Sequence, residues 1–164
     1  MDSTRARLDW LAVEISRESF AGPAAQALAA ELEAELLGHY EGVPGSGGLP
    51  APEIFEPPGG AFLVGREHRE PVACGGLARY DETTAELRRM YVVPAARGQG
   101  LSRRLLTALE AEARRLGYEA LRLETGNRQT EAIGLYESAG YAPIARYGPF
   151  VDDERSVCFE KRLA

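Results

Sequence analysis

The chain is predicted to be an α/β protein (α+β in some schemes) with one mixed central sheet, on three observations. Residues 61–93 hold three consecutive strand patterns joined by short turns, the signature of an antiparallel meander. An amphipathic helical pattern over 101–116 separates the last of these from a further strand at 119–124. Such a strand–helix–strand crossover requires a parallel pairing somewhere in the sheet. Helical and strand patterns keep alternating from there onward, and 164 residues with 45% apolar side chains suffice for a single core.

Each element has its own local warrant. Residues 7–15 read as a first strand, with Leu8, Trp10 and Ala12 alternating against Asp9, Leu11, Val13 and Ile15. Pro23 sits where a helix begins. Ala25, Leu28, Ala29, Leu32 and Leu36 recur at helical spacing, while Glu31, Glu33 and Glu35 point elsewhere, and the helix should end near Gly38. Residues 42–60 are rich in glycine and proline without a period and read as a loop with a brief turn around 53–55. A connection that long is often a lid or a binding loop.

Strands at 61–65 and 72–80 flank a hairpin turn at 67–71. The third strand, 84–93, should place Leu87, Arg89, Tyr91 and Val93 on one face and Glu86, Arg88, Met90 and Val92 on the other. Leu101, Leu105, Ala108, Leu109, Ala113 and Leu116 line one side of the long helix, which Gly117 stops. A shorter helix at 130–139 offers Ala132, Ile133, Leu135 and Tyr136 for packing and ends at Gly140. Strands at 141–147 and 155–162 close the sequence, with Val157 and Phe159 on one face, for about six or seven strands in all.

Composition excludes several roles. A formal net charge of −6 argues against general nucleic-acid binding, which needs clustered cations. The apolar runs are too short for a membrane span, and no secretory leader pattern is visible, so the expected setting is cytoplasmic. Cys74 and Cys158 lie in apolar strand patterns and read as buried free thiols. His39 and His68 have no ligand spacing with them, so no metal is expected.

The segment that speaks of chemistry runs from Val92 to Ser102. A β-branched strand end turns through Pro94, Gly98 and Gly100 directly into the long helix. The first N–H groups of a helix have no internal partner, and the helix dipole favours an anion there, so the turn suits a phosphate or pyrophosphate. A dinucleotide fingerprint would need a third glycine where Arg103 stands, and a phosphate-binding Walker loop would need a Lys-Ser or Lys-Thr pair that is missing.

The run Arg97-Gly98-Gln99-Gly100-Leu101-Ser102 resembles the coenzyme A motif of the GNAT family of N-acetyltransferases, with Ser102 in a place usually held by Gly or Ala. The preceding 87–94 segment and the following Asn127, Ala132, Leu135-Tyr136 and Ala139-Gly140-Tyr141 resemble the same family, and together the likeness covers about residues 60–162 of an expected single domain, 1–164. It implies a sheet splayed between the fourth and fifth strands, with the pantetheine arm of acetyl-CoA in the gap. Cofactor contacts then fall on Met90, Tyr91 and Val92 through their main chain. Arg97, Gly98, Gln99, Gly100, Leu101, Ser102 and Arg103 surround the pyrophosphate, and Asn127 touches the arm. Tyr136 matches the tyrosine that protonates the departing thiolate. Glu86 matches the glutamate that removes the amine proton, with Glu124 a second candidate.

The implied activity is transfer of the acetyl group of acetyl-CoA to a primary amine of a small molecule by direct attack. Two other readings stay open: a protein or peptide N-acetyltransferase, which needs an open groove, and a non-catalytic acyl-CoA-binding module, which would tolerate loss of Glu86 and Tyr136. The acceptor is expected between 37–40, the glycine–proline loop and 147–153, with Tyr40, Glu53 and Phe55 as lining and Glu53, Glu56, Asp152 and Asp153 as an acidic mouth. A homodimer through the C-terminal strands or an exposed sheet edge is an open expectation.

Overall fold

Alternation along the chain does produce the expected sheet. The computed structural model describes residues 12–45 and 50–164. In order they form β1 (Val13–Arg17), α1 (Pro23–His39), β2 (Ala61–Glu67), β3 (Glu70–Arg79), β4 (Thr84–Val92), α2 (Leu101–Arg115), β5 (Ala120–Gly126), α3 (Thr130–Ser138), β6 (Ala142–Ile144) and β7 (Ser156–Arg162). The strands make one sheet in the order β1-β2-β3-β4-β5-β7-β6, and only the β4–β5 pairing is parallel.

Two strands differ most from their expected extents, while β2, β3 and β5 shift by only one or two residues at their ends. The first is Val13–Arg17 rather than 7–15; its pairing with β2 runs from Val13↔Glu67 to Arg17↔Leu63, and residues 7–11 lie outside the described residues. The strand expected over 141–147 is only Ala142–Ile144. Pro143 brings no donor to this edge strand, and the chain then turns inward so that Tyr147 and Phe150 pack with Cys158.

Helices cover both faces. On one, Leu101, Leu105, Leu106 and Leu109 of α2 pack on Leu87, Leu121, Leu123 and Phe159 of the sheet. On the other, Leu28 and Leu32 of α1 meet Phe62, Val64 and Cys74, with Phe20 and Phe55 closing the layer. Each fully buried leucine here contributes about 1.5–3 kcal/mol. Gly76 lets the second layer approach: a Cβ there would lie 2.8 Å from Phe62 Cδ2 and closer still to the Phe55 ring.

A bulge in β4 breaks the expected alternation. Cys74 pairs with Tyr91 and Gly76 with Arg88, so Arg89 and Met90 both stand opposite Gly75. Arg89 takes φ +57°, its carbonyl accepts from the Cys74 thiol at 3.4 Å, and its guanidinium pairs with Glu33 of α1 at 2.7 Å. Leu87 and Tyr91, expected on one face, therefore lie on opposite faces. Leu87 packs with Val92 under α2, and Tyr91 packs under α1.

The bulge also opens the sheet. β4 and β5 pair only from Thr84↔Ala120 to Leu87↔Leu123, although the strands continue to Val92 and Gly126. Beyond that rung β5 stays with β7 as far as Gly126↔Ser156 while β4 bends away. The sheet forks between its fourth and fifth strands, as expected.

Candidate active site

Two cavities flank the fork. On its α1 side a cavity of about 440 Å³ is walled by Leu36, Leu37 and Tyr40, by β4 from Glu86 to Met90, and by Glu124–Gly126 of β5. On the other side a cavity of about 360 Å³ is walled by Tyr91, Val92, Arg97, Gly98, Leu101 and Ser102. Leu32, Met90, Gln129, Ala132 and Tyr136 line both, so the two cavities adjoin at the fork.

The glycine turn fits a pyrophosphate. Gly98 and Gly100 have φ of +75° and +82°, and a Cβ on either would meet no protein atom within 4 Å. The space in front of the turn is therefore open to a ligand. Gly100 is the N-cap of α2 and brings no side-chain cap; the first helical bond of α2 runs from Arg104 N–H to Gly100 O at 3.1 Å. The N–H groups just ahead of it lie before the helical ladder, at the positive end of the dipole. Coenzyme A, with an anionic pyrophosphate and an extended arm, fits both the turn and the fork.

Side chains near the turn have structural partners. Arg97 donates from Nε to Val92 O at 2.9 Å, pairs with Glu35 at 2.7 Å and lies over the Tyr91 ring. It fixes the turn against β4 and α1. Arg103 donates to Ser138 and so ties α2 to α3. Gln99, Gly100 and Arg103 stand outside the walls of both cavities, as does Asn127, which is exposed and gives its N–H to Arg155 O at 2.7 Å. Gln129 lines both cavities instead, and its side-chain oxygen accepts from Gly126 N–H at 2.8 Å. The one signal for it was a polar side chain between a strand-ending glycine and a helix.

Three ionisable groups meet where the strands part. Glu86 accepts from the Tyr147 phenol at 2.7 Å and lies 3.6 Å from Arg88 Nε. Burial, then the Glu86 charge and hydrogen bond, push the Tyr147 phenol far up, so it stays a donor. Glu124 accepts from the Ser156 hydroxyl at 2.9 Å. Burial raises its carboxyl above the ordinary range; Ser156 opposes this, the charges of Asp153 and Glu86 add to it, and Arg88 offsets part. Tyr136 is buried with its hydroxyl 3.8 Å from Met90 Sδ, and burial with the Glu124 charge pushes its phenol up. It therefore holds its proton throughout the neutral range. Tyr147 and Ser156 were not expected as partners, since nothing in their local sequence points to Glu86 or Glu124.

The acceptor wall differs in part from expectation. Tyr40, Phe150 and Asp153 line the cavity, and Glu53, Glu56 and Asp152 do not. Phe55 is 3% exposed and packed against Phe20 and Phe62, so it belongs to the core; a short 3-10 turn at Pro52–Phe55 drives it inward. Nor is the mouth simply acidic. Glu33, Glu86, Glu124 and Asp153 share the wall with Arg88, Arg89 and Arg155, and Asp153 is clasped by Arg155 at 2.9 Å.

Cys74 and Cys158 are buried free thiols. Among the described residues no group of three or more His, Cys, Asp or Glu side chains is placed to hold a metal ion. No helix among them is long and apolar enough to cross a membrane.

Comparison with known proteins agrees with this geometry. A family model described as Acetyltransferase (GNAT) family matches residues 31–141. An IAA acetyltransferase of Azospirillum brasilense is 44% identical over 103 residues, which is 62% of this chain and 67% of that protein. The uncharacterized N-acetyltransferase YjgM of Escherichia coli is 36% identical over 95 residues, 56% of this chain and 57% of that one. The match thus spans little more than half of YjgM. A solved Klebsiella pneumoniae protein provisionally assigned to the acyl-CoA N-acyltransferases superposes with TM-score 0.78 at 34% identity, covering 93% of this chain and 98% of that one. An Elizabethkingia anophelis GNAT acetyltransferase with acetyl-CoA bound shares the fold at TM-score 0.67 and 19% identity, over 93% and 99% of the two chains.

Proposed function

Because the chain belongs to the acetyltransferase (GNAT) family, we propose that it transfers the acetyl group of acetyl-CoA to a primary amine of a small molecule by direct attack. The observation that carries the reading is the fork itself. An arm entering past the glycine turn reaches a cavity of about 440 Å³ that also holds two carboxylates and is flanked by a buried phenol.

In this reading the N–H groups from Gly98 to Ser102 cradle the pyrophosphate, helped by the dipole of α2. Main-chain groups of Met90 and Tyr91 and the N–H of Val92, which β5 no longer pairs, bind the arm in the manner of an added strand. An ammonium has no lone pair, so a carboxylate of Glu86 or Glu124 must take its proton before attack. Tyr136 holds a proton for the departing thiolate. The acceptor side supports a small molecule over a peptide. The end of α1, residues 43–45 and Phe150 wall the cavity, and the named activity of the Azospirillum relative points the same way.

Calorimetric titration with acetyl-CoA, with 3′-dephospho-CoA and ATP beside it, tests the cofactor half. Binding of both coenzyme A ligands but not ATP is expected, and failure of a folded sample to bind either overturns the reading. Thiol release with a panel of small primary amines and a lysine peptide tests the acceptor half. Turnover with the peptide alone overturns the small-molecule assignment.

A further inference from the structure

We propose that Glu124, held by the Ser156 hydroxyl, is the group that takes the ammonium proton, and that Glu86 is a positioning carboxylate. The inference rests on the amine-acetyltransferase reading of the same cavity.

Geometry separates the two carboxylates. Glu86 pairs in register with Arg122, one rung inside the last one, Leu87↔Leu123. Glu124 is the next residue of β5, the first past the point where the strands part. Leu123 turns into the core under α2, so Glu124 turns to the opposite face, into the cavity beneath α1.

Their partners differ as well. A base needs an oxygen lone pair that the protein has left available. Glu86 accepts on Oε2 from the Tyr147 phenol at 2.7 Å, and its Oε1 forms an ion pair with Arg88 Nε at 3.6 Å, so an ammonium approaching that oxygen meets a cation already beside it. Glu124 gives Oε1 to Ser156 at 2.9 Å, and its Oε2 has no partner among the described residues. Ser156 is itself buried, at the Gly126↔Ser156 rung where β7 begins beside the end of β5, so the sheet fixes the residue's position. Burial also makes the Glu124 carboxylate more basic than an exposed one.

Other ionisable groups face Glu124 from each neighbouring element. Glu86 and Arg88 come from β4, Asp153 and Arg155 from the segment before β7, and Cys158 from β7 itself. Tyr136 comes from α3, and Tyr40 from just beyond α1.

The proton account closes. One ammonium proton passes to Glu124 Oε2 and on to solvent through the cavity mouth. The nitrogen lone pair forms the N–C bond at the thioester carbonyl. As the C–S bond breaks, sulfur takes the Tyr136 proton, and the phenolate recovers one from the nitrogen. The products are the amide, the free thiol and one released proton.

The test compares ethylamine with 2,2,2-trifluoroethylamine, both supplied at high concentration and small enough for the cavity. The fluorines lower basicity so far that the second amine is already neutral at pH 7 and needs no base. With acetyl-CoA saturating, Glu124→Gln is expected to lower kcat/KM for ethylamine about 100-fold and for trifluoroethylamine by less than about 5-fold. Glu86→Gln is expected to affect both amines by the same factor. Ser156→Ala removes a donor from the carboxylate, so it should move the acidic limb of the ethylamine pH–rate profile upward.

Calorimetric affinity for acetyl-CoA checks that each variant is folded. Equal losses for both amines in Glu124→Gln, or an unchanged rate, overturn the inference and leave the proposed function standing. So does an amine-dependent loss confined to Glu86→Gln. A wild-type protein that binds acetyl-CoA yet releases no thiol with either amine overturns the proposed function, and the inference with it.

Discussion

The Tyr147 phenol donates to Glu86 Oε2 at 2.7 Å, linking β4 to the segment that leads into β7 across 61 residues of chain. The ring is held edge-on by Tyr80 and Phe150, and the Arg122 guanidinium lies 4.7 Å from its centre. This contact fixes one wall of the acceptor cavity. Tyr147→Phe keeps the ring and removes only the donor to a half-buried carboxylate. It should cost about 1.5–3 kcal/mol in urea unfolding. Unchanged stability would mean that the bond contributes nothing net.

Gly100→Val should weaken acetyl-CoA binding roughly 10- to 100-fold, as expected for losing charge-assisted contacts to a phosphate. The side chain would occupy the open ground before the turn, and a β-branched residue at φ +82° strains the N-cap of α2. Calorimetry reads the first effect and a melting curve the second. Parental affinity in a folded variant would remove the pyrophosphate from this turn.

Tyr136→Phe should lower kcat about 100-fold while acetyl-CoA affinity stays close to the parent's. Among the described residues the hydroxyl's one hydrogen-bond contact is Met90 Sδ at 3.8 Å, so its removal disturbs little packing. Equal turnover would deny the phenol its role as proton donor.

Glu124→Gln should gain stability relative to the parent as pH rises. The Glu124 carboxyl is raised by burial above the ordinary value of 4.5. Between that value and the raised one, the native state holds a proton that the unfolded chain has released. Stability therefore falls with rising pH through the window, and the deficit persists above it. A glutamine does not titrate. The difference in melting temperature, variant minus parent, should grow as pH rises above the ordinary carboxyl value of 4.5 and then level off. A constant difference would show that Glu124 titrates alike in both states.

Gly76→Ala should destabilise the protein by about 1–3 kcal/mol, because the new methyl overlaps the Phe55 and Phe62 rings under α1. Thermal unfolding checks it. A neutral outcome would require that the aromatic layer shift without cost.

What was legible in the sequence was what neighbours along the chain decide. The helix starting at Pro23, the turn of residues 52–55 and the crossover over α2 all follow from local spacing. So does the exposed N-terminus of α2, since Pro94, Gly98 and Gly100 specify it within a few residues. The bulge at Arg89 was not legible. A left-handed residue there is maintained by Cys74 and Glu33, from β3 and α1, and no glycine marks the place. Phe55 looked like a cavity residue because its exposure depends on Phe20 and Phe62, each from another part of the chain.

The sequence by itself determined the order of strands and helices, the glycine turn that suits a pyrophosphate, and the set of residue types able to move a proton. Only the tertiary structure decided at which rung the sheet forks and which donors reach each carboxylate. Whether Glu86 or Glu124 can take a proton depends on donors 61 and 32 residues away along the chain. Those donors arrive only once β7 has docked beside β5 and the bulge has turned β4 aside. Periodicity records which way a side chain points, but not what waits for it there.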